Sequence, residues 1–262
     1  MVAIDDAVTL VGNEWEVPAG WHQGRGAWGG LVAAAIIRAA GAADGQEPGL
    51  RPLREAAIHM VGPLPAGPVQ VRPTLVRRGS ATAAWRVDIV GEQTWAIGSV
   101  VFGASRADDF RPVTEPGTPP VAPSWTEMEA LTVGPPVAPE FLQHFAVRLV
   151  SGLPYSGTDA DVLAWIMPAQ PPATYDDALL IGLVDAMWPA TLVQVAAPRP
   201  MATLSFSATL LVDPATVNPA EPLLHRGRML SHAQGYVTES RELWTPDGRL
   251  AVHNTQVVAV IR

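Results

Sequence analysis

Asp185 is the residue that stands out for chemistry. It lies in Leu183-Val184-Asp185-Ala186-Met187, late on a stretch that reads as a helix, with Ile181 at i−4 and Trp188 at i+3. Residues at those spacings share a helix face. A carboxylate on an apolar face either points into a polar cavity, where it can exchange protons, or costs stability. The plainer reading is an aspartate on a helix flank. Two neutral polar residues follow: Thr203 in Ala202-Thr203-Leu204-Ser205-Phe206, and Gln256 in Asn254-Thr255-Gln256-Val257-Val258. A hydroxyl and an amide can each orient a small molecule by hydrogen bonding. Each also fits a strand without any function, Thr203 by β-propensity and Gln256 by outward alternation. Gly29 and Gly30 open another helical run. They can present backbone N–H groups to a carbonyl, or simply let helix and sheet approach closely. His59 sits in a strand-like run, where packing alone commonly accounts for a histidine.

Other chemistries lack their residues. The chain has 262 residues and no cysteine, which excludes disulfides, thiolate metal sites and a cysteine nucleophile. It carries no G-x-S-x-G, P-loop or H-E-x-x-H pattern. Gly24 and Gly26 do not follow a convincing strand in a βαβ setting, so a dinucleotide site is rejected. Six scattered histidines have no ligand spacing, and no metal is expected. The net charge of −8 argues against nucleic acid or an anionic membrane as the main partner. With 48% hydrophobic and 16% charged residues, the composition is that of a packed globular protein. The first residues lack the pattern of a signal peptide, and the low-charge run Gly26 to Ile37 is too short to span a bilayer, so a cytoplasmic location and no membrane insertion are expected.

The elements that must hold these residues come in two similar sets. Eight prolines between Phe110 and Glu140 exclude a long helix or central strand and read as a linker. This divides the chain into an N-terminal unit 1–109, a linker 110–139 and a C-terminal unit 140–262. In the first unit a helix over Trp28 to Ala40, stopped at Gly41, precedes strands over Leu53 to Val61, Val69 to Arg77, Ala81 to Val90 and Thr94 to Phe102. In the second unit, strands over Phe141 to Val150 and Asp161 to Met167 precede a helix over Tyr175 to Trp188, capped by Thr174. Strands then recur at Ala202 to Val212, Leu223 to Leu230, Gly235 to Leu243 and Leu250 to Ile261. A long apolar helix followed by an antiparallel meander is an α+β unit whose sheet can wrap the helix. Two such units should join their sheets edge to edge.

The order of these residues resembles the TesB-type acyl-CoA thioesterases. The likeness runs through Trp28-Gly29-Gly30, Ile58-His59-Met60 to Pro63, Asp185, Thr203 and Gln256, over nearly the full length. It implies a tandem (double) hotdog fold, each half a sheet around a long central helix. It implies an acyl-CoA substrate, no cofactor, and association into homo-oligomers through the sheets. It also implies that Asp185, Thr203 and Gln256 hold the water that attacks the thioester, with Gly29, Gly30 and His59 on the substrate side. The first half has Arg38, Pro52 and Ser99 near the three matching positions, so the chemistry belongs in the second. Two departures stand out: Trp188-Pro189 close after the acid, and no aromatic–histidine pair after Thr203. If the likeness holds, the three side chains converge within roughly 6 Å, at hydrogen-bonding reach of one point. They then face a cavity that begins at Gly29 and Gly30 and runs into an apolar tunnel.

Overall fold

A computed structural model describes residues 2–45, 50–107, 118–131 and 133–261. The first elements were not expected from the pattern. They are helix α1 (Ile4–Ala7), the hairpin β1 (Leu10–Val11) and β2 (Glu14–Val17), and the ribbon β3 (His22–Gln23) and β4 (Gly26–Ala27). Helix α2 (Gly29–Asp44) follows, then β5 (Leu53–Met60), β6 (Gly67–Arg78), β7 (Thr82–Val90) and β8 (Thr94–Gly103). The second half has β9 (Phe145–Ser151), β10 (Asp161–Pro168), α3 (Asp177–Leu183) and α4 (Thr191–Gln194). It ends with β11 (Met201–Leu210), β12 (Leu223–Ala233), β13 (Tyr236–Trp244) and β14 (Leu250–Val260).

One antiparallel sheet takes in both halves, in the order β1-β2-β6-β7-β8-β5-β11-β14-β13-β12-β10-β9. Read outward from the centre, the two sides match. Each begins with the strand that follows the helix, then the last strand, then the middle two, then a strand that precedes the helix. The seam is the pairing of β5 with β11, from Ser205 opposite His59 to Thr209 opposite Glu55. This is the tandem hotdog architecture, joined edge to edge. The helices pack on one face of the sheet and on each other. Gly30 and Gly182 lie at their crossing: a Cβ on Gly30 would collide with the Gly182 carbonyl oxygen and the Trp28 ring.

Three local expectations need correction. Helix α2 runs through Gly41 and ends at Gly45, whose φ of +61° suits glycine and closes the helix onto the Gly41 carbonyl. The second helix is not long. Asp176, not Thr174, caps it by accepting from the Leu179 N–H at 2.7 Å, and it stops at Leu183. Glu140–His144 form a 3₁₀ helix, so the strand expected from Phe141 starts at Phe145.

Part of the proposed linker, residues 110–117 and 132, lies outside the described residues. The described stretch crosses the face of the sheet away from the helices. There Ala122, Trp125 and Met128 pack on a satellite cluster of Leu163, Trp165, Leu224 and Trp244. The Trp165 indole N–H donates to the Pro123 carbonyl at 3.0 Å, and the Arg148 guanidinium lies over the Trp125 ring.

Candidate active site

The end of α3 sets the site. After Leu183 the chain continues in tight turns, with the Asp185 N–H donating to the Gly182 carbonyl and the Ala186 N–H to Leu183. Asp185 therefore leaves from a turn beyond the helix, not from the helix itself. The Trp28 indole N–H fixes its backbone by donating to the Asp185 carbonyl oxygen at 2.9 Å. Trp28 is itself stacked on Phe141 and Trp21. The Asp185 side chain is 5% exposed.

Strand β14 brings Gln256 to it. Gln256 lies on the inward face with Asn254 and Val258 and has no exposure at all. Its Nε2 donates to Asp185 Oδ1 at 2.8 Å and to Asn254 Oδ1 at 3.0 Å. The Asn254 Nδ2 donates to the Ser207 carbonyl at 2.9 Å, which turns the Asn254 oxygen toward Gln256 and fixes both amides.

Thr203 reaches the site through an irregularity of β11. Thr203 pairs with Val258 and Ser205 with Val257, leaving Leu204 as an extra residue. Thr203 and Phe206 are three apart, so plain alternation would send them to opposite faces. The bulge puts both inward, since such an insertion re-aims the side chains around it. The Thr203 hydroxyl donates to Gln256 Oε1 at 3.3 Å. The structure thus brings Asp185, Gln256 and Thr203 into one chain of hydrogen bonds.

Gly29 and Gly30 adjoin the same carboxylate. A Cβ on Gly29 would lie 2.8 Å from Asp185 Oδ2 and 3.4 Å from Met60 Cε. Where a cavity bounded by Gly29 and Gly30 was expected, α2 and the carboxylate are in close contact. A cavity of ≈ 510 Å³ lies elsewhere, against His22, Gly24 and the Pro135 to Glu140 segment. His59 does not join the group. It is exposed, one residue out of phase with the inward Ile58. Trp188 also stays out of the way, its indole N–H donating to the Gly152 carbonyl at 2.9 Å. At the related place in the first half, Arg38 bonds Asp176 at the start of α3, and Ser99 is exposed.

The residue types missed in the sequence are charges. Arg241 of β13 donates from Nη1 to Asp185 Oδ1 at 2.8 Å and from Nη2 to Glu239 Oε2 at 3.2 Å. Glu239 Oε1 accepts from the N–H and hydroxyl of Thr191. His225 of β12 is fully buried and donates from Nε2 to the Val184 carbonyl at 3.1 Å. A signal existed: Val237, Glu239, Arg241 and Leu243 share one strand face, and apolar flanks around opposite charges point to a buried pair. Burial pushes the Asp185 carboxyl above the usual carboxylate range. The Arg241 guanidinium, the Gln256 amide and the Gly30 N–H oppose that shift, and Glu239 adds to it. Among the described residues no cluster of three or more potential metal ligands occurs.

Family models match both halves: the acyl-CoA thioesterase N-terminal domain over residues 17–103, and the acyl-CoA thioesterase C-terminal domain over residues 108–260. The chain belongs to the acyl-CoA thioesterase family. Solved structures agree with this acyl-CoA thioesterase fold. A hot dog fold protein of unknown function from Alicyclobacillus acidocaldarius is 26% identical with a TM-score of 0.86, covering 100% of this chain and 99% of its own. The tesB protein of Mycobacterium avium subsp. paratuberculosis is 16% identical with a TM-score of 0.75, covering 99% and 98%. An acyl-CoA thioesterase II from Mycobacterium marinum is 16% identical with a TM-score of 0.74, again covering 99% and 98%. Among curated proteins nothing matches. No helix among the described residues is long and apolar enough to cross a membrane.

Proposed function

We propose that this protein hydrolyses an acyl-CoA thioester to the free acid and CoA, using a water oriented by Asp185, Thr203 and Gln256. The observation that carries the reading is the convergence of those side chains, from a turn and two strands, beside the first turn of α2. The family supplies the substrate class, and the donor set supplies the chemistry. Asp185 Oδ1 already accepts two hydrogen bonds, so Oδ2 is the atom that takes the water's proton. Thr203 keeps a lone pair for the same water while its proton goes to Gln256. Gln256 bridges the other two and fixes their spacing.

The water oxygen adds to the thioester carbonyl, and the charge that develops needs N–H donors. Gly29 supplies one at the start of α2, because the first N–H groups of a helix have no partner within it, while the Gly30 N–H is engaged by the Asp185 carboxylate. Collapse of the intermediate expels the CoA thiolate, which takes up a proton. The step balances without a metal or an organic cofactor.

Thiol release from a panel of acyl-CoAs of different chain length is compared between wild type and Asp185→Asn. The substitution keeps shape and removes the base, and kcat should fall by about a hundredfold or more. Wild-type protein that binds the panel and releases no thiol would instead be a non-catalytic acyl-CoA binder. A folded Asp185→Asn that hydrolyses at the wild-type rate removes the assignment.

A further inference from the structure

Two charges on β13 are buried more completely than Asp185 itself. Glu239 is 0% exposed and Arg241 2%. Lone charges at such depth are expensive, and pairing offsets the cost only with good geometry. The geometry here is specific. Nη1 of Arg241 serves Asp185 Oδ1 and the Met187 carbonyl, the latter at 3.3 Å, while Nη2 serves Glu239. Glu239 is held in turn by Thr191 at 3.0 and 3.1 Å. Gly227 pairs with Arg241 across the strands, and a Cβ there would sit 3.2 Å from His225 Cε1 and in ordinary contact with the arginine stem at 4.0 Å. The bonds run unbroken from α4 through β13 to the turn carrying Asp185. A guanidinium suits this place because its planar fork serves several acceptors at fixed angles.

We propose that Arg241 is a positioning residue for the hydrolysis, holding Asp185 as a carboxylate with Oδ1 occupied and Oδ2 turned to α2, and that Glu239 anchors Arg241. The inference rests on the reading of Asp185 as the base. The charged and titratable groups facing Asp185 are few. Strand β13 offers Arg241 and Glu239, and β12 offers His225, which burial keeps neutral. Strand β14 presents the amides of Gln256 and Asn254, and α2 presents the Gly30 N–H. One cation therefore stands between two carboxylates. Removing it leaves Asp185 facing a like charge, whereas neutralising Glu239 leaves Asp185 alone with the cation. The two changes must move its titration in opposite directions, and a loss of turnover at unchanged KM separates positioning from a merely structural ion pair.

The test follows the Asp185 carboxyl by ¹³C NMR in protein labelled at aspartate, its resonance assigned by loss in Asp185→Asn. Thiol release gives the pH profile of kcat/KM in parallel. In Arg241→Gln the midpoint and the acid limb should rise by about one pH unit or more. In Glu239→Gln both should fall by a similar amount. Turnover of Arg241→Gln should drop about a hundredfold, with KM within about twofold, as misplacement of a catalytic group does. If Arg241→Gln does not fold, Glu239→Gln decides by the sign of its shift. Midpoints that stay put, or that move the same way in both variants, overturn the proposal even if Asp185→Asn is dead. An Asp185→Asn of wild-type activity overturns the base reading, and the catalytic role of Arg241 with it.

Discussion

Gly29 and Gly30 are neighbours that answer different needs. A methyl group on Gly29 meets the end of a side chain, Asp185 Oδ2, and the tip of Met60. A methyl group on Gly30 meets the Gly182 backbone and the Trp28 ring, which cannot move aside. Gly29→Ala should therefore fold with a melting temperature near wild type and lose about tenfold or more in kcat through the displaced carboxylate. Gly30→Ala should lose about 1–3 kcal/mol of stability by overpacking. Equal effects on melting and turnover at the two positions would contradict the reading.

His225 gives a second check at this scale. Burial first, then the Arg241 charge, pushes its pKa from 6.5 down to about 3. The unfolded chain thus takes a proton that the folded chain refuses. The stability held above pH 6.5 is lost as pH falls from there toward 3, at up to about 1.4 kcal/mol per pH unit. A melting curve that drops less between about pH 7 and 5 in His225→Gln than in wild type is expected, and parallel curves would sink the idea. Asp185 was legible because a carboxylate among apolar residues is conspicuous, whereas Thr203 and Gln256 each fit an ordinary strand and were singled out only by the family likeness. Glu239 and Arg241 were passed over although Val237 and Leu243 flank them on one face, because opposite charges two apart on a strand usually mark a solvated face.

Strand β11 shows how an element decides a site. Its sequence has the residues of a strand but not their phase, because Leu204 is inserted against β14. Deleting Leu204 leaves Thr203 two residues before Phe206 and opposite Val258, so plain alternation keeps it inward and only the bulge is lost. Thr203→Val instead removes the hydroxyl, and should lower turnover by about tenfold or more while the far-ultraviolet circular dichroism stays as in wild type. Wild-type turnover in Thr203→Val would mean that the threonine does not orient the water. The helices teach the same lesson. The pattern over Tyr175 to Trp188 is apolar throughout, so it reads as one helix, but Asp176 caps it late and the turns after Leu183 end it early. Those turns, not a helix face, are what point Asp185 at Gln256.

Across the molecule the two halves share one sheet, so neither has a free inner edge. Strand β11 bonds β5 on one side and β14 on the other, and Gly30 packs on Gly182 between the helices. Each half thus completes the other. A chain cut once between residues 104 and 139 should run as a single species of undiminished size on gel filtration and keep its activity. Two separate, stable fragments would contradict a sheet that is continuous through the seam. The site repeats this dependence, since Asp185, Gln256 and Thr203 come from the second half while Gly29, Gly30 and Trp28 come from the first.

Local sequence carried the α+β class, the repeated helix-and-meander plan, and the unusual setting of Asp185 among apolar residues. Those features are local: they depend on periodicity, on turn residues and on composition, and each is written within a few positions. Tertiary structure decided the rest. It set the phase of Thr203 through a bulge defined only by a partner strand. It put Asp185 beyond a helix end fixed by packing on Gly30. It excluded His59, whose parity sends it outward. It enclosed Arg241 and Glu239, since whether a charged strand face meets water or a carboxylate depends on what the rest of the chain lays against it.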